Sequence, residues 1–381
     1  MVKLLRGIKR DVERILWAKA AGRCQFDGHN RLLYKSAVTN ESLNLAEMAH
    51  IYAFSEAGPR GHGKLKAKPK KLNGINNLLL VCDSCHKKID RNPGKYTAKL
   101  LKSWKEKHES RVRNVTGISP EKKRHVILYG ANIGSENSPV NYDEAVSAMF
   151  PEAYPADDKP ILLSTNSYNR DDGRSFWLAE AESLRNGFQT LLFPLTKDAE
   201  NARFSIFALA PQPLLILLGS LLTDKISVET YQLQREPKTW KWQDSPKNFH
   251  FTVNRPDKTN GPPVLILSLS DNISKRRIHA PLGRKVTIWE VTIEKPQNDF
   301  LKSKVQLSEF RRCLRSLMVE IKKMHGQNAL LSIFPAIPVS CAVELGRIRM
   351  PKADMPWMVY DHNNKLGGFQ PALSIPEDDN E

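Results

Sequence analysis

The chain has 381 residues, of which 40% are hydrophobic and 26% are charged, and its formal net charge is +17. This composition excludes a disordered or fibrous chain and suits two or three packed domains. The longest apolar run, "PLLILLGSLL" (213–222), is too short to cross a bilayer, and the first twenty residues lack the apolar core of a secretory signal. We therefore expect a cytoplasmic protein with no membrane partner.

Positive charge is concentrated in the N-terminal third. Residues 1–125 contain 28 Lys and Arg against 11 Asp and Glu, whereas residues 126–381 contain 30 of each. The Gly- and Pro-rich segment 55–74 is predicted as a loop that would contact a DNA backbone through Lys64, Lys66, Lys68, Lys70 and Lys71. This clustering indicates a polyanionic partner, most simply nucleic acid; a solvated basic face without a partner is the alternative.

The N-terminal third reads as a helix, two strands and two further helices. "DVERILWAKAAGRC" (11–24) has helical apolar spacing, and "LAEMAHIYAF" (45–54) and "INNLLLVC" (75–82) read as strands. "DSCHKKID" (83–90) begins a helix, and "TAKLLKSWKEKHESRVRNV" (97–115) is a long basic helix. The order strand, strand, helix therefore spans residues 45–90.

Two pairs of metal-ligating residues occur in this third. Cys24 and His29 form a C-x4-H pair, and Cys82 and Cys85 form a C-x2-C pair. Clustered thiols in a reducing compartment favour metal binding over disulfides, and two such pairs suit a closed tetrahedral Zn²⁺ site. We expect a structural zinc here; four unrelated buried residues are the alternative.

The zinc pairs leave His86, Asp90 and Asn77 unexplained. His86 and Asp90 are four residues apart, so they share one face of the predicted helix. If this helix lies against the strand that ends at His50, these side chains would converge on a second metal. The sequence thus indicates a catalytic ion beside the structural one.

The segments "EMAHI" and "NNLLLVCDSCHKKID" resemble the motif of HNH endonucleases, over roughly residues 15–110. The resemblance implies an α+β, ββα-metal nuclease fold, with His50 as the general base and Asn77 holding the His50 segment by backbone hydrogen bonds. His86 would bind Mg²⁺ or Mn²⁺. Many members carry a metal ligand directly before the first His, where this chain has Ala49, so either Asp90, which we favour, or Glu47 would supply that ligand.

The remaining two thirds alternate strands with helices, which predicts an α/β domain with a largely parallel sheet. An internal repeat pairs "ARFSIFALAPQPLLILLGSLL" (202–222) with "ALLSIFPAIPVSCAVELGRIR" (329–349). Each copy is followed by a strand bearing a tyrosine, in "VETYQL" and "WMVYD". We expect two similar α/β halves facing each other across a pseudo-two-fold axis.

This duplicated region, with "ALAPQPLLILLGSLL", "REPKTWKWQ" and "VYDH", resembles a SAVED domain, a fused pair of CARF-like, Rossmann-like halves. HNH joined to SAVED is the architecture of CBASS anti-phage effector nucleases. The resemblance implies an HNH domain at 1–118 and a SAVED domain at 119–381, with halves at about 119–258 and 259–381. It further implies that a cyclic dinucleotide or related cyclic oligonucleotide switches on cleavage in abortive infection, and that the active form is a homo-oligomer, with a tetramer expected.

The ligand would meet helix N-termini and aromatic rings. Helices starting at "PQP" and "PVS" offer free N–H groups to phosphates, tryptophans offer stacking platforms and a lysine offers a positive charge. The same residues also have ordinary readings as core side chains and helix caps. The candidates are Gln212, Pro213, Trp240, Trp242, Ser340, Lys352, Trp357 and Tyr360.

Two readings of function follow. The leading one is a ligand-gated, metal-dependent endonuclease for double-stranded DNA; no base-reading motif is present, so we expect little sequence preference. The alternative is a non-cleaving, zinc-stabilised DNA-binding regulator that senses a nucleotide, and the missing acid before His50 favours it. A constitutive nuclease would leave the duplicated C-terminal region unexplained.

Overall fold

The computed structural model describes residues 7–66, 68–132, 140–163, 173–197, 202–363 and 365–376. The chain forms two compact units, Met1–Ser119 and Pro120–Glu381, called the N-terminal unit and the C-terminal unit below. Each unit has a hydrophobic core of its own. None of the helices in the described part of the chain has the length and apolar character that crossing a membrane requires.

The N-terminal unit is built on a two-stranded antiparallel sheet that runs directly into a helix. Its elements are α1 (Arg10–Ala20), β1 (Ala46–His50), α2 (Pro69–Leu72), β2 (Leu78–Cys82), α3 (Asp83–Arg91) and α4 (Ala98–Thr116). The register pairs Ala46 with Cys82 and His50 with Leu78. The predicted order of strand, strand and helix is observed, and α3 starts at the residue after β2.

The apolar run of β2 forms the middle of the N-terminal core. All five of its residues are buried, because α1 and α3 both pack against it. Leu16 of α1 and Ile89 of α3 are fully buried in the same cluster. Burying one such aliphatic side chain contributes about 2 kcal/mol, so this core fixes where β2 ends and where α3 begins.

The first half of the C-terminal unit contains a parallel sheet. Its elements are β3 (Lys123–Gly130), α5 (Tyr142–Met149), β4 (Tyr154–Pro155), β5 (Ile161–Leu162), α6 (Arg174–Gly187), α7 (Phe193–Thr196), β6 (Arg203–Leu209), α8 (Gln212–Leu222) and β7 (Ser227–Thr230). A π-helical turn, Phe188–Leu192, joins α6 to α7. The strand order is β4–β3–β6–β7, and β5 also pairs with β3.

The second half contains a six-stranded sheet. Its elements are β8 (Thr252–Asn254), β9 (Pro263–Ser268), α9 (Lys275–Leu282), β10 (Thr287–Thr292), α10 (Lys304–His325), β11 (Leu331–Ala336), α11 (Val339–Ile348), β12 (Trp357–Asn363) and β13 (Gly368–Ile375). The strand order is β13–β12–β11–β9–β10–β8. The four central strands are parallel, and the edge strands β13 and β8 are antiparallel.

The two halves repeat one topology. Strands β5, β3, β6 and β7 lie side by side in the first half, as β10, β9, β11 and β12 do in the second. The repeat extends to side chains: Phe207 stacks on Tyr231 and Phe334 stacks on Tyr360, each with ring centroids 4.3 Å apart. The α/β class and the internal duplication predicted from the sequence are therefore confirmed for this unit.

A buried ion pair on α11 fastens the second half to the first. Glu344 is 2% exposed and accepts hydrogen bonds from Arg347 and from the Thr230 hydroxyl. Arg347 also donates to the carbonyl oxygens of Thr223 and Ile226. Because each charge is paired and hydrogen-bonded, both are tolerated in the core.

Candidate functional site

Cys24, His29, Cys82 and Cys85 come together in the N-terminal unit. Their ligand atoms all lie within 4.8 Å of one another, and His29 Nδ1 is 3.3 Å from Cys85 Sγ and 3.6 Å from Cys82 Sγ. Tetrahedral Zn²⁺ with its usual bond lengths places nitrogen and sulfur ligands about 3.6 Å apart. The three thiols and one imidazole therefore fit a structural zinc ion.

Burial raises the pKa of Cys24 and of Cys85, the latter helped by the neighbouring thiol groups. Burial acts on Cys82 in the same direction, but hydrogen bonds, with that from Ser84 the largest, lower the pKa of this thiol. Thiols with raised pKa values stay neutral at physiological pH until a cation displaces their protons. Zinc binding at this cluster would consequently release protons. It would also connect the end of β2 and the first turn of α3 to the segment after α1.

His86 lies between two carboxylates. Its Nε2 is 3.3 Å from Asp90 Oδ2, and its Nδ1 is 3.8 Å from Glu47 Oε2. The hydrogen bond with Asp90 raises the pKa of His86 although burial opposes the rise, and the charge of Glu47 adds to it. The structure thus brings together the three residues predicted for the catalytic ion, whose imidazole and carboxylate groups suit Mg²⁺ or Mn²⁺ completed by water.

Arg60 was not anticipated from the sequence, yet it is the buried cation of this site. Its side chain is 6% exposed, and its Nη2 lies 3.1 Å from Asp90 Oδ1. Burial would raise the pKa of Asp90, but the hydrogen bonds with His86 and Arg60 lower it. The lowered pKa of Asp90 thus comes from its contacts with the Arg60 guanidinium and the His86 ring.

His50 ends β1 and is half-buried. Its Nε2 lies 3.0 Å from Asn73 Oδ1, while the Asn73 amide nitrogen donates to the Gly7 carbonyl at 3.4 Å. An amide oxygen only accepts hydrogen bonds, so Nε2 carries the proton in this arrangement. The lone pair of the neutral ring is then on Nδ1, which can accept a proton.

Asn77 holds the segment that follows His50. Its Oδ1 accepts from the Tyr52 amide at 2.9 Å, and its Nδ2 donates to the carbonyls of Tyr52 and Leu72 at 2.9 and 2.8 Å. The side chain is 2% exposed, and its donors and acceptor are all used. This is the bracing geometry expected for Asn77, and it fixes the backbone beyond β1.

The lysine-rich segment lies between β1 and β2. Lys64, Lys66, Lys68, Lys70 and Lys71 are all exposed. The predicted loop contains one 3-10 turn, Gly63–Leu65, and the short helix α2. It also carries Asn73, the hydrogen-bond partner of His50. The exposed lysines and the contact to His50 therefore belong to one connecting segment.

A cavity of about 420 Å³ lies in the C-terminal unit where parallel strands end. It adjoins the last residue of β6, the residues just after β9 and β11, and the first residues of α8 and α11. Its lining consists of Leu209, Gln212, Gln232, Leu233, Gln234, Arg235, Lys238, Ser270, Asn298, Ile337, Pro338 and Val339. The lining has two cations and no carboxylate, at the sheet edge where α/β proteins bind ligands.

Of the predicted ligand residues, Gln212 lines the cavity. Its Oε1 accepts from the Ile337 amide at 3.2 Å, which ties α8 to the end of β11. Ser340 lies behind the lining: its hydroxyl and amide both donate to Gln232 Oε1. Pro213 is buried in α8. Lys352 is exposed and is not among the lining residues.

The aromatic expectations are corrected by the structure. Trp240 is 2% exposed and packs edge-on against Phe207, and Trp357 is 1% exposed in the core. Tyr360 is buried against Phe334. Trp242 is half-buried and packs on the same core. A side chain that is almost wholly buried offers no platform for a base, so Trp240, Trp357 and Tyr360 serve packing, whereas the half-buried Trp242 stays a candidate.

The sequence reading missed the polar lining of the cavity. Arg235 and Lys238 are exposed members of the lining, and Gln232 links it to α11. Both cations lie in "REPKTWKWQ" (235–243), the segment whose tryptophans are predicted as stacking platforms. Two cations next to a helix N-terminus were the available signal.

The C-terminal unit therefore belongs to the class of duplicated α/β domains with a polar cavity where the parallel strands end. The family model described as "SMODS-associated and fused to various effectors sensor domain", SAVED, matches residues 184–375. Since this match spans half of the chain, the chain belongs to the SAVED family. The predicted SAVED domain is confirmed, and the nuclease assignment of the N-terminal unit stays a prediction.

Solved structures of the Cap4 SAVED/CARF-domain containing receptor of Acinetobacter baumannii are similar at 11% identity. The TM-scores are 0.44 with the cyclic trinucleotide 2'3'3'-cAAA, 0.43 with 3'3'3'-cAAA and 0.40 for the receptor alone. The matches cover 77%, 76% and 77% of this chain and 61%, 62% and 60% of the receptor chains. This chain thus spans less than two thirds of the receptors' length. A comparison with curated proteins gives no match.

Proposed function

We propose that this chain is an effector nuclease of CBASS-type anti-phage defence. Its C-terminal SAVED unit would bind a cyclic dinucleotide or related cyclic oligonucleotide, and its N-terminal unit would then cut double-stranded DNA. The nuclease part of the proposal rests on one observation. Asn77 holds the segment after His50 by hydrogen bonds, in the same unit as the cluster of His86, Asp90 and Glu47. This ββα arrangement is what an HNH endonuclease requires.

His50 is the proposed general base. Its Nε2 proton is held by Asn73 Oδ1, so Nδ1 is available to take a proton from an attacking water molecule. Asn77 keeps the backbone behind His50 fixed, so the ring can be presented to substrate without further ordering of that segment. Loss of such a base typically lowers the rate by roughly 10²–10⁴-fold.

His86 and a neighbouring carboxylate are the proposed holders of Mg²⁺ or Mn²⁺. When bound, the ion would offset the negative charge that develops on the phosphate and on the leaving oxygen. His86 has to give up its proton before it can coordinate, and its raised pKa makes that exchange dependent on pH. Asp90 and Glu47 lie beside the two ring nitrogens, Asp90 near Nε2 and Glu47 near Nδ1.

Double-stranded DNA is the proposed substrate. Residues 1–125 carry the whole excess of positive charge, and the exposed lysines of segment 55–74 stand on the loop that contacts His50. Lysine contacts to phosphates release counterions and carry no base information, so binding should depend steeply on salt and little on sequence. Such a nuclease would degrade phage and host DNA alike, which fits abortive infection.

The cavity near Arg235 and Lys238 is the proposed ligand site. Its two cations would pair with phosphates, and the N-termini of α8 and α11 would add backbone N–H groups. Gln212 and Asn298 offer amide groups to base edges, whereas the Gln232 amide is engaged by Ser340 and Leu233. A homo-oligomer, with a tetramer as the expected form, is the proposed active state, as the resemblance to CBASS effector nucleases implies.

The test is a plasmid cleavage assay with Mg²⁺ or Mn²⁺, with and without a panel of cyclic di- and trinucleotides. Cleavage only in the presence of one ligand supports the gated nuclease, and His50→Ala should abolish it while the exposed His250→Ala does not. Arg235→Ala and Lys238→Ala should weaken ligand binding by calorimetry, with Lys241→Ala, outside the lining, as the matched control. Cleavage without ligand contradicts the gating.

The second candidate is a non-cleaving DNA-binding regulator. Ala49 replaces the metal ligand that often precedes the first His, and Arg60 engages Asp90, one of the two carboxylates that would compensate. This reading predicts salt-dependent DNA binding with no cleavage in any divalent metal, with or without cyclic nucleotides. The plasmid assay, paired with DNA binding, separates the two functions.

A further inference from the structure

Arg60 joins two elements of the candidate nuclease site. Its Nη2 and Nε donate to the carbonyls of His50 at 3.1 Å and Ile51 at 2.6 Å, at the end of β1. Its Nη1 donates to the Ile89 carbonyl at 3.1 Å, in the last turn of α3. Five guanidinium N–H groups in a rigid fork make this three-way connection possible, which a lysine ammonium would not reproduce.

The same guanidinium takes one oxygen of Asp90. Arg60 Nη2 lies 3.1 Å from Asp90 Oδ1, and His86 Nε2 lies 3.3 Å from Asp90 Oδ2. Both carboxylate oxygens are therefore engaged, one of them by a buried cation that is itself fixed by backbone carbonyls. Each carboxylate oxygen keeps a second lone pair, but a metal ion bound there would lie next to the buried Arg60 guanidinium, whose positive charge repels it. The Glu47 side chain is 52% exposed, and within the described part of the chain its carboxylate is near one cationic group, His86 Nδ1, at 3.8 Å.

We propose that Asp90 is a positioning residue and that Glu47, together with Nδ1 of His86, binds the divalent ion. In this arrangement Arg60 holds the carboxylate of Asp90 in place. Asp90 accepts a hydrogen bond from the Nε2–H of His86, which fixes the tautomer and the orientation of the His86 ring. Histidines that bind metals usually donate their other ring N–H to a carboxylate in this way. The inference rests on the proposed nuclease function and reverses the sequence-based preference for Asp90 over Glu47.

The first test compares isosteric amides in the full-length, zinc-loaded chain. Mn²⁺ affinity is measured by calorimetry for wild type, Glu47→Gln, Asp90→Asn and, as a matched control on α1, the exposed Asp11→Asn. Glu47→Gln should lower affinity by roughly 100-fold or more, Asp90→Asn by about tenfold, and Asp11→Asn should leave it unchanged. A larger loss of Mn²⁺ affinity in Asp90→Asn than in Glu47→Gln overturns the inference. So does a wild-type chain that, with zinc in the cysteine cluster, binds no Mn²⁺.

The second test reads the ligands directly. With zinc filling the cysteine cluster and Co²⁺ saturating the second site, the visible absorption of Co²⁺ reports which groups coordinate it. Glu47→Gln should shift these bands and Asp90→Asn should not, because an outer carboxylate changes orientation and affinity but not the ligand set. An equal shift in both variants contradicts the assignment of Asp90.

A double-mutant cycle tests the role of Arg60. Arg60→Lys should lower Mn²⁺ affinity in the wild-type background and have little further effect in the Asp90→Asn background, since Arg60 acts through Asp90. Equal effects in both backgrounds contradict that link, and if the Arg60 variant fails to fold, the Glu47 and Asp90 comparison still decides the ligand assignment. DNA cleavage is assayed separately: a chain that shows this binding pattern but never cuts DNA contradicts the nuclease proposal and leaves the ligand assignment standing.

Discussion

Gly219 of α8 and Gly346 of α11 face each other across a reciprocal backbone contact. A Cβ atom on Gly219 would lie 1.9 Å from the Val343 carbonyl oxygen, and a Cβ atom on Gly346 would lie 1.9 Å from the Ile216 carbonyl oxygen. Each glycine occupies the same position in its copy of the sequence repeat. The helices of the two halves therefore cross backbone to backbone, and their N-termini reach the same cavity.

The first prediction concerns this crossing. Gly219→Ala and Gly346→Ala should each destabilise the C-terminal unit by about 2 kcal/mol or more, because the added methyl group overlaps a carbonyl oxygen that belongs to a helix. Denaturant unfolding followed by tryptophan fluorescence measures the loss. Gly173→Ala, whose Cβ would lie no closer than 4.0 Å to any residue that the structure describes, is the matched control. Unchanged stability in both helix variants would contradict the reciprocal contact.

The second prediction concerns the buried pair of α11. Glu344→Gln should lower the free energy of unfolding of the C-terminal unit by about 3 kcal/mol, because Arg347 would keep a buried charge without its counterion. Glu182→Gln, at an exposed position of α6, is the control for loss of one carboxylate. A loss of stability equal to that of the control would show that the pair does not fasten the halves.

The third prediction concerns zinc. Elemental analysis of the purified chain should find stoichiometric zinc, and Cys85→Ser should lose it and leave the N-terminal unit sensitive to proteolysis. A structural zinc contributes on the order of 10 kcal/mol to the folding free energy of a small domain. Losing that contribution should unfold the N-terminal unit. Cys313→Ser, a thiol outside the cluster, should retain the metal. Full folding of the Cys85 variant without zinc would contradict the structural role.

The fourth prediction concerns pH. Burial lowers the pKa of His108, whose Nε2 lies 3.0 Å from the Ala20 carbonyl oxygen. The unfolded chain takes up this proton near pH 6.5 and the folded chain does so only at lower pH, so stability is complete above about pH 6.5 and falls as the pH drops toward the folded pKa. The melting temperature of His108→Gln, which keeps a donor for Ala20, should therefore decline less on acidification than that of wild type.

The exposed His250→Gln serves as the control for this measurement. Its melting temperature should follow wild type at every pH, because folding does not bury this side chain. Parallel acid profiles for His108→Gln and wild type would show that His108 is not the group that links folding to pH. The cysteine and histidine cluster is identical in all three proteins, so the difference between profiles isolates His108.

The local elements of both units were predictable from the sequence. The apolar run before Cys82 specified β2, and the pairing of Cys82 and Cys85 with Cys24 and His29 specified the metal cluster, because ligand chemistry and close spacing narrow the choices. Alternating strands and helices specified the α/β class, and matching segments specified the duplication. Each of these signals lies within a short window of residues.

The partners of individual side chains were decided by tertiary structure. Arg60 belongs to none of the motifs found in the sequence, yet folding places it against Asp90, thirty positions along the chain. For Trp240 and Trp357 the sequence left open both a stacking platform and a core side chain, and the structure buries both in cores, while Arg235 and Lys238 line the cavity.

The sequence by itself therefore determined which elements form and which residues have the chemistry to bind a metal, because those properties depend on near neighbours and on side-chain type. Only the tertiary structure decided which of them are buried, which meet and which face a cavity. The physical reason is that burial and contact depend on surfaces brought together from distant parts of the chain, and no short stretch such as residues 77–90 contains that information.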